Sequence, residues 1–334
     1  MPAAQRRRDE DADVAKPASK KVRAETGLRG DDGESVDIAL ADGASLSEDI
    51  IVGHSEDGLG LKVEFISLDE CSFLYDEIFV RQEYLRHGLS LKPGAGDVLD
   101  VGANIGLFSL FCQRVLRQAG SEFGRDRIFA FEPVPRIFKV LRRNLGDCEG
   151  AAAAVIPQGY GLGAQESAAE TFFYFEDSPG ESTRRGAEGQ RQRVIVNSGA
   201  KAGVPCTGEV RVLSEVMRRE GIQRVQLLKI DVEGDELDVL LGLQATDWPK
   251  IDQVVVEVHD DNFRVSRVRS LLERHGFVVM TRPQRTAWHD GALVCIPASL
   301  RLFYVYARRC AEADSCASSA TRRRRTTNSR SCSA

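Results

Sequence analysis

The chain has 334 residues, enough for one large or two small domains. Hydrophobic residues make up 42% of it and charged residues 28%, which are ordinary values for a globular protein. The net charge of −5 gives no reason to expect nucleic acid as a partner, and no apolar run is long enough to span a membrane. Eight cysteines without a Cys-x-x-Cys pair disfavour a zinc site. They fit a reducing compartment, so we expect a cytoplasmic protein, with organelle targeting left open.

Composition divides the chain into four segments. Two are polar tails without hydrophobic periodicity, predicted to be disordered, and the second of them is rich in arginine. Between the tails, a predicted strand over residues 59–67 and a predicted helix over 70–87, capped by Asp69, lead into the main domain. We expect this lead-in to cover the main sheet rather than to take part in chemistry. The segments are the N-terminal tail at 1–50, the lead-in at 51–92, the main domain at 93–306 and the C-terminal tail at 307–334.

The clearest motif is VLDVGANIG, at residues 98–106. It predicts a buried strand, and the apolar residues after it recur at helical spacing, with Asn104 at the expected N-cap. Gly102 and Gly106 let the backbone approach a ligand, and the start of the helix offers free N–H groups to an anion. A dinucleotide-binding turn carries a middle glycine where this chain has Asn104, which disfavours NAD or FAD. An acidic residue at the strand end, here Asp100, resembles the first motif of class I S-adenosylmethionine (SAM)-dependent methyltransferases.

A second candidate site follows the next strand, predicted over residues 127–131. This strand ends in Glu132 and Pro133. A carboxylate at this position can accept hydrogen bonds from both hydroxyls of a ribose. A third strand is followed by a glycine-rich turn, GYGLG, at residues 159–163.

Two later strands also end in polar side chains. One ends at Lys229 and Asp231, and the other ends at Glu257 and His259. Alternating strands and helices predict an α/β fold with a mainly parallel sheet and helices on both faces. Ligands of such sheets bind at the carboxyl ends of the strands, so these polar ends predict a binding site there.

Five segments occur in order: DVGANIG, FEP, SPGEST, LLKIDVEGDE and VVVEVH. Together they make residues 70–306 resemble the FkbM family of SAM-dependent methyltransferases. The resemblance implies a Rossmann-like class I methyltransferase fold with a seven-stranded, mainly parallel sheet whose last strand is antiparallel. It also implies SAM as the cofactor and methylation of a hydroxyl group on a sugar or secondary metabolite.

The resemblance assigns the cofactor roles. The strand end and glycine turn would hold the methionine part of SAM, the second acidic strand end would bind the ribose, and the GYGLG turn would border the adenine. The expected cofactor-binding residues are Asp100, Gly102, Ala103, Asn104, Gly106, Glu132, Pro133, Gly161 and Leu162.

Catalytic roles follow from the reaction. Methyl transfer is an in-line displacement, so positioning supplies most of the catalysis, but an alcohol acceptor also needs a base or a metal. His259 is a candidate base because of its ordinary pKa range. Asp231 is expected to act on the acceptor, or to bind a divalent metal with Glu257, although the sequence indicates no metal site. The expected catalytic residues are Asp231, His259, Glu257 and Lys229.

Two alternatives stay open. One is an NAD-dependent oxidoreductase, which Asn104 disfavours. The other is a non-catalytic SAM-binding protein, which the presence of several acidic strand ends disfavours. In each enzyme reading the partner is a small molecule, without nucleic acid, and the oligomeric state is unknown. The long polar segment at residues 178–192 is either a lid or a surface excursion.

Overall fold

The computed structural model describes residues 38–40, 49–52, 61–121, 126–146, 153–176, 178–185, 202–284 and 302–309. The chain divides into two compact units, residues 1–63 and residues 64–334. In the first unit, strand β1 (Ile38–Leu40) pairs antiparallel with strand β2 (Asp49–Val52). β1 and the start of β2 lie within residues 1–50, the segment that the sequence predicts to be largely disordered. The other residues of that segment lie outside the described part of the chain.

Strands and helices follow one another from residue 61 onward. The strands are β3 (Leu61–Glu64), β4 (Asp97–Val101), β5 (Asp126–Phe131), β6 (Ala153–Gln158), β7 (Gly161–Gly163), β8 (Ser167–Tyr174), β9 (Val204–Val212), β10 (Val225–Ile230), β11 (Gln253–His259), β12 (Phe277–Pro283) and β13 (Leu302–Arg309). The helices are α1 (Leu68–Tyr75), α2 (Leu107–Gln118), α3 (Pro135–Leu145), α4 (Leu213–Arg219), α5 (Glu236–Leu241) and α6 (Arg264–Arg274). Short helical turns form at Asp76–Val80, Glu83–Leu85, Pro179–Glu181 and Trp248–Lys250.

Seven strands form the main sheet, in the order β12-β13-β11-β10-β4-β5-β6. The pairs from β11 to β6 are parallel, and β13 runs antiparallel to both β11 and β12. This confirms the predicted seven-stranded, mainly parallel sheet with an antiparallel last strand. The last strand continues to Arg309, so residues 307–309 belong to the sheet rather than to the predicted C-terminal tail. Residues 310–334 lie outside the described part of the chain.

The two central strands, β4 and β10, are buried along their whole length. Successive side chains of a strand point to opposite faces, so complete burial means that both faces of the sheet are covered. This explains why these strands read as nearly continuous apolar runs rather than as alternating ones. A carboxylate or ammonium group on such a strand needs a partner inside the protein or access to the sheet edge.

The lead-in differs from its prediction. The predicted single helix over residues 70–87 consists of α1, a π-helical turn and a 3₁₀ turn. Ser67 caps α1 in place of Asp69, since its Oγ accepts the Glu70 N–H at 3.4 Å. Gln82 interrupts the helical backbone between the π-helical turn and the 3₁₀ turn, because its φ of 48° lies in the left-handed region. This break allows Tyr84 to reach the ends of the central strands.

A smaller sheet has the order β7-β9-β8. Its first strand, β7, pairs parallel with β9, and β8 pairs antiparallel with β9. The predicted glycine-rich turn at residues 159–163 therefore includes a short strand. This strand follows the end of β6, so the small sheet begins at the carboxyl edge of the main sheet.

Candidate active site

The carboxyl ends of four parallel strands lie side by side. Lys229 pairs with Asp100 in the register of β10 and β4, and the Asp231 N–H donates to a β4 carbonyl oxygen at 3.0 Å. Glu132 directly follows β5, and Glu257 lies near the end of β11. The sheet order thus brings together polar residues that are far apart in the chain.

The glycine turn after β4 is held from two sides. The N–H groups of Gly102 and Ala103 both donate to the carbonyl oxygen of Phe131, at 3.1 and 2.9 Å. On the other side, a Cβ on Gly102 would overlap the carbonyl oxygen of Asp231, and the φ of Gly102 is 78°. The turn is wedged between the ends of β5 and β10, and only glycine fits at position 102.

We expect Gly102→Ala to lower the free energy of unfolding by about 2 kcal/mol more than Gly120→Ala does. The φ values are similar, 78° and 85°, so both variants carry comparable left-handed strain. No described atom lies within 4 Å of the Cβ position at Gly120, whereas the Cβ at Gly102 meets backbone. Urea denaturation of both variants and the wild type measures the difference. Equal losses would mean that the turn can move freely away from β10.

Asn104 does not cap α2, so that prediction is wrong. The N-cap is Gly106, with a φ of 95°, and no side chain caps the helix. Asn104 has a φ of 49°, and its Nδ2 donates to Glu70 at 2.9 Å. Its Oδ1 is buried without a hydrogen-bond partner among the described residues. The turn therefore presents an unused acceptor beside its glycines.

The Glu132 carboxylate is nearly buried and lies against the glycine turn. It accepts the Asn104 N–H at 3.2 Å on one oxygen and the Val134 N–H at 2.9 Å on the other. Burial raises the pKa of Glu132 to about 7, although the two backbone hydrogen bonds oppose this shift. Each oxygen keeps a second lone pair, so the carboxylate can still accept two hydroxyl groups.

The predicted adenine border lies next to Glu132. A Cβ on Gly161 would lie 3.3 Å from the side chain of Pro133, which places the start of β7 against the residue after Glu132. Leu162 is buried in the hydrophobic core. Its side chain is therefore part of the packing, and any contact of Leu162 with a ligand would have to involve its backbone.

Asp100 and Lys229 lie beneath the turn. The Asp100 side chain is 0% exposed, with Oδ2 accepting the Ser109 hydroxyl at 2.7 Å and Oδ1 lying 3.3 Å from Lys229 Nζ. Lys229 Nζ also donates to the Gly102 carbonyl oxygen at 2.8 Å. Burial lowers the pKa of Lys229, but the charges of Asp100 and Asp231 outweigh it and the net shift is upward. Lys229 therefore stays cationic and is unsuited to be a base, and Asp100 reaches no open surface.

His259 is held between two carboxylates. Its Nε2 lies 3.0 Å from Glu233 and its Nδ1 lies 3.2 Å from Glu236. Burial lowers the pKa of His259, but Glu233 and then Glu236 raise it, and the net result lies well above the ordinary value. The expectation that His259 is the general base does not fit this environment, because a protonated imidazole cannot accept a proton.

The free energy of unfolding should depend on pH because His259 is held between the carboxylates of Glu233 and Glu236. Because its folded pKa is raised above 6.5, His259 stabilises the fold fully below that pH and loses the contribution as pH rises through the folded pKa. In that window the free energy of unfolding should fall by up to about 1.4 kcal/mol per pH unit. Urea denaturation between about pH 6 and pH 9 should show this slope in the wild type and a smaller slope in His259→Gln. Parallel curves would contradict a protonated His259.

Asp231 and Glu257 share one partner. The Tyr84 hydroxyl lies 3.0 Å from Asp231 Oδ2 and 3.2 Å from Glu257 Oε2. Asp231 is the more accessible carboxylate, with 20% of its side chain exposed. Burial raises the pKa of Glu257 well above its ordinary value, and the charges of Asp231 and Glu77 add to the shift. The two predicted catalytic acids therefore differ in environment.

The sequence reasoning missed several residues of this cluster. Glu77 is buried, accepts a hydrogen bond from the Tyr304 hydroxyl, and has a pKa raised by burial to about 7. Tyr84 lies within the predicted helix over residues 70–87, which is expected to cover the sheet rather than to take part in chemistry. Their partners lie 147 to 227 positions away in the chain, so no local pattern identifies them.

The family model described as "Methyltransferase FkbM domain" matches residues 100–279, from the end of β4 into β12. The chain belongs to the FkbM methyltransferase family. The match includes the turn, Glu132, Asp231 and Glu257. Tyr84 and Tyr304 lie outside it.

The chain is similar to three named proteins over different shares of its length. The AMB antimetabolite synthetase AmbE of Pseudomonas aeruginosa is 37% identical over 274 residues, which are 72% of this chain but 12% of AmbE. The 31-O-demethyl-FK506 methyltransferase FkbM of Streptomyces tacrolimicus is 36% identical over 238 residues, 66% of this chain and 87% of that protein. The solved methyltransferase FkbM of Methylobacillus flagellatus KT is 16% identical with a TM-score of 0.42, covering 67% of this chain and 46% of that one.

In this FkbM-family chain, the SPGEST segment packs on the site. The Gly180 N–H donates to both carboxylate oxygens of Glu70 at 3.0 Å, and Glu70 also binds Asn104. The Thr183 hydroxyl donates to the Glu233 carbonyl oxygen at 2.7 Å. Residues 178–185 therefore bridge the glycine turn and the end of β10. The rest of the polar segment at residues 178–192 lies outside the described residues.

Two features are absent from the described residues. No helix there is long and apolar enough to cross a membrane. No group of three or more His, Cys, Asp or Glu side chains within the same ranges could hold a metal ion. Asp231 and Glu257, the pair named as a possible metal site, both lie within hydrogen-bond distance of the Tyr84 hydroxyl.

Proposed function

We propose that this chain is a SAM-dependent O-methyltransferase that acts on a hydroxyl group of a small molecule. The main supporting observation is the placement of the glycine turn of an FkbM-family domain between Glu132 and Asp231. One carboxylate is positioned to bind a ribose, and the other is positioned to act on an acceptor. The two lie at the same edge of the sheet, where ligands of such folds bind.

The residues present fit SAM. Its ribose carries two hydroxyl donors, and the Glu132 carboxylate has two free lone pairs beside the turn. Its methionine part carries an ammonium group, and the buried Asn104 Oδ1 lacks a hydrogen-bond partner among the described residues. Gly102 lets the turn pack directly against the carbonyl oxygen of Asp231, which keeps the turn beside the proposed proton acceptor. When bound, SAM would supply a methyl group on a cationic sulfur.

Asp231 is the best candidate for proton acceptor. It is the most exposed of the predicted catalytic carboxylates, and Lys229 Nζ lies 3.6 Å from it, which favours its ionised form. A carboxylate at this position can take the proton of an acceptor hydroxyl as its oxygen is methylated. Lys229 and Asp100 then act by holding the turn, and His259 acts by holding Glu233 and Glu236.

The acceptor class follows from the family and from charge. The relative from Streptomyces is named for methylation at an oxygen. Asp231, the accessible carboxylate of the pair, disfavours an anionic group beside the reacting hydroxyl. We therefore expect a neutral or cationic hydroxyl compound, such as a sugar or a secondary metabolite.

A methyl-labelled transfer assay tests this function. The purified protein is incubated with SAM that carries a labelled methyl group and with a panel of neutral, cationic and anionic hydroxyl compounds. The expected result is a labelled methyl ether on a neutral or cationic compound. Label on nitrogen or carbon would contradict O-methylation, and efficient labelling of only anionic acceptors would contradict the charge argument.

A further inference from the structure

We propose that Tyr84 is a positioning residue that makes Asp231 the proton acceptor and keeps Glu257 as the protonated member of the pair. The inference rests on the proposed function, since it concerns the group that receives the acceptor's proton. Tyr84 comes from the lead-in, before the part of the chain that matches the family. A residue of the lead-in, which the sequence predicts to be a structural cover, therefore contacts both carboxyl groups of the site.

The Tyr84 phenol has fewer hydrogens to donate than it has carboxyl neighbours. A phenol has one O–H to donate, yet Tyr84 Oη lies at hydrogen-bond distance from two carboxyl groups, at 3.0 and 3.2 Å. Only one of them can receive the phenolic hydrogen. The other contact is favourable only when that carboxyl is itself protonated and donates to the phenolic oxygen.

The surroundings decide which carboxyl holds the proton. Asp231 has Lys229 Nζ at 3.6 Å and a partly exposed side chain, both of which favour a charged carboxylate. Glu257 is buried, and no ion pair with it occurs among the described residues. The carboxylic acid of Glu257 therefore donates to the phenolic oxygen of Tyr84, and the Tyr84 hydroxyl donates to the carboxylate of Asp231.

The other groups around the pair act in the same direction. Burial is the largest cause of the raised pKa of Glu257. The charges of Asp231, Glu77 and Glu233 raise this pKa further, and the charge of His259 lowers it. Burial, Asp231 and Glu77 raise the pKa of Tyr84 well above its ordinary value, so the phenol stays neutral. The ring of Tyr304 packs against the ring of Tyr84, and the Tyr304 hydroxyl donates to Glu77.

The proton balance is simple. As the acceptor oxygen bonds to the methyl carbon, the sulfur–carbon bond breaks and its electron pair stays on sulfur. The hydroxyl proton moves to Asp231, which later releases it to water. Glu257 keeps its own proton throughout, and the hydrogen bond that Tyr84 donates stabilises the ionised form of Asp231 before each turnover.

Infrared difference spectroscopy tests the proton's place without an acceptor or SAM. Only a protonated carboxyl gives a carboxylic-acid C=O band. At about pH 8, above the pKa of about 7 of Glu77 and Glu132, the proposal predicts such a band in the wild type. The band should vanish in Glu257→Gln and remain in Asp231→Asn. The reverse pattern, or no band that depends on Glu257, would overturn the proposal while leaving O-methylation untouched.

Tyr84→Phe tests the role of the phenol. Loss of its hydrogen bond to Asp231 should destabilise the ionised carboxylate and shift the acidic limb of the kcat–pH profile to higher pH, with kcat about tenfold lower at neutral pH. Tyr306→Phe is the matched control, because the Tyr306 hydroxyl donates to the Glu83 carbonyl oxygen at 3.0 Å outside the pair. A lower kcat with an unmoved limb would reveal a merely structural Tyr84 and overturn the proposal. Methyl transfer by the wild type in the same assay tests the proposed function separately.

Discussion

Asp231→Asn is expected to lower kcat for methyl transfer by about 10²–10⁴-fold while the affinity for SAM stays within about twofold. The amide keeps the shape of the side chain and can still accept the Tyr84 hydrogen bond, but it cannot accept a proton. Steady-state kinetics with an acceptor found by label transfer, together with calorimetric titration of SAM, measures both quantities.

Asp261→Asn is the matched control for this prediction. Asp261 follows β11 at the same edge of the sheet, but its carboxylate faces Arg264, at 3.7 Å, rather than the carboxylate pair. Its kcat should stay near that of the wild type. Unchanged turnover in Asp231→Asn would remove Asp231 from the mechanism.

Glu132→Ala is expected to weaken SAM binding by about 10- to 100-fold, the effect of losing one or two hydrogen bonds to a charged group. The same carboxylate accepts the Asn104 and Val134 N–H groups, so the turn itself also loses support. Calorimetric titration measures the affinity, and thermal unfolding shows whether the variant is folded. Glu132→Gln keeps the size of the side chain and separates charge from shape.

The same carboxylate gives SAM binding a pH dependence. The pKa of Glu132 is raised to about 7 in the ligand-free protein, and ribose hydroxyls donate to its ionised form. Binding should therefore tighten as pH rises through 7, with an affinity about tenfold weaker at pH 6 than at pH 8, and a proton should be released on binding at pH 6. Normal affinity in Glu132→Ala, or affinity independent of pH, would discard the ribose assignment.

The fold could be predicted because burial on both faces leaves a visible pattern. The strands β4 and β10 are continuous apolar runs that end in charged residues, and the resemblance supplied the antiparallel last strand. The lead-in helix was predicted less well. Its break depends on a left-handed Gln82 and on distant partners for Tyr84, and neither follows from helical periodicity.

The site was predicted in place but not in detail. Strand ends share one edge of a parallel sheet, so the sequence could bring Asp231 near Glu257. It could not give the charge state of His259, which depends on Glu233 and Glu236 from the segment that follows β10. Nor could it show that Asp100 and Lys229 are enclosed beneath the turn, because burial of a charged pair is a property of the packed structure.

Asn104 illustrates the same limit in a single turn. Its type and position are typical of an N-cap, yet its backbone is left-handed and its amide reaches Glu70 in α1. The side chain therefore links the turn to the lead-in and to the SPGEST segment instead of capping α2. A dinucleotide-binding turn carries its middle glycine at this position, so the side chain of Asn104 disfavours a pyrophosphate there.

The most direct test of SAM as the cofactor is calorimetric titration of the purified wild-type chain with SAM and, separately, with NAD. We expect micromolar binding of SAM, on the order of −8 kcal/mol, and no binding of NAD. Binding of NAD without SAM would contradict the proposal and indicate a dehydrogenase, despite the position of Asn104 in the turn.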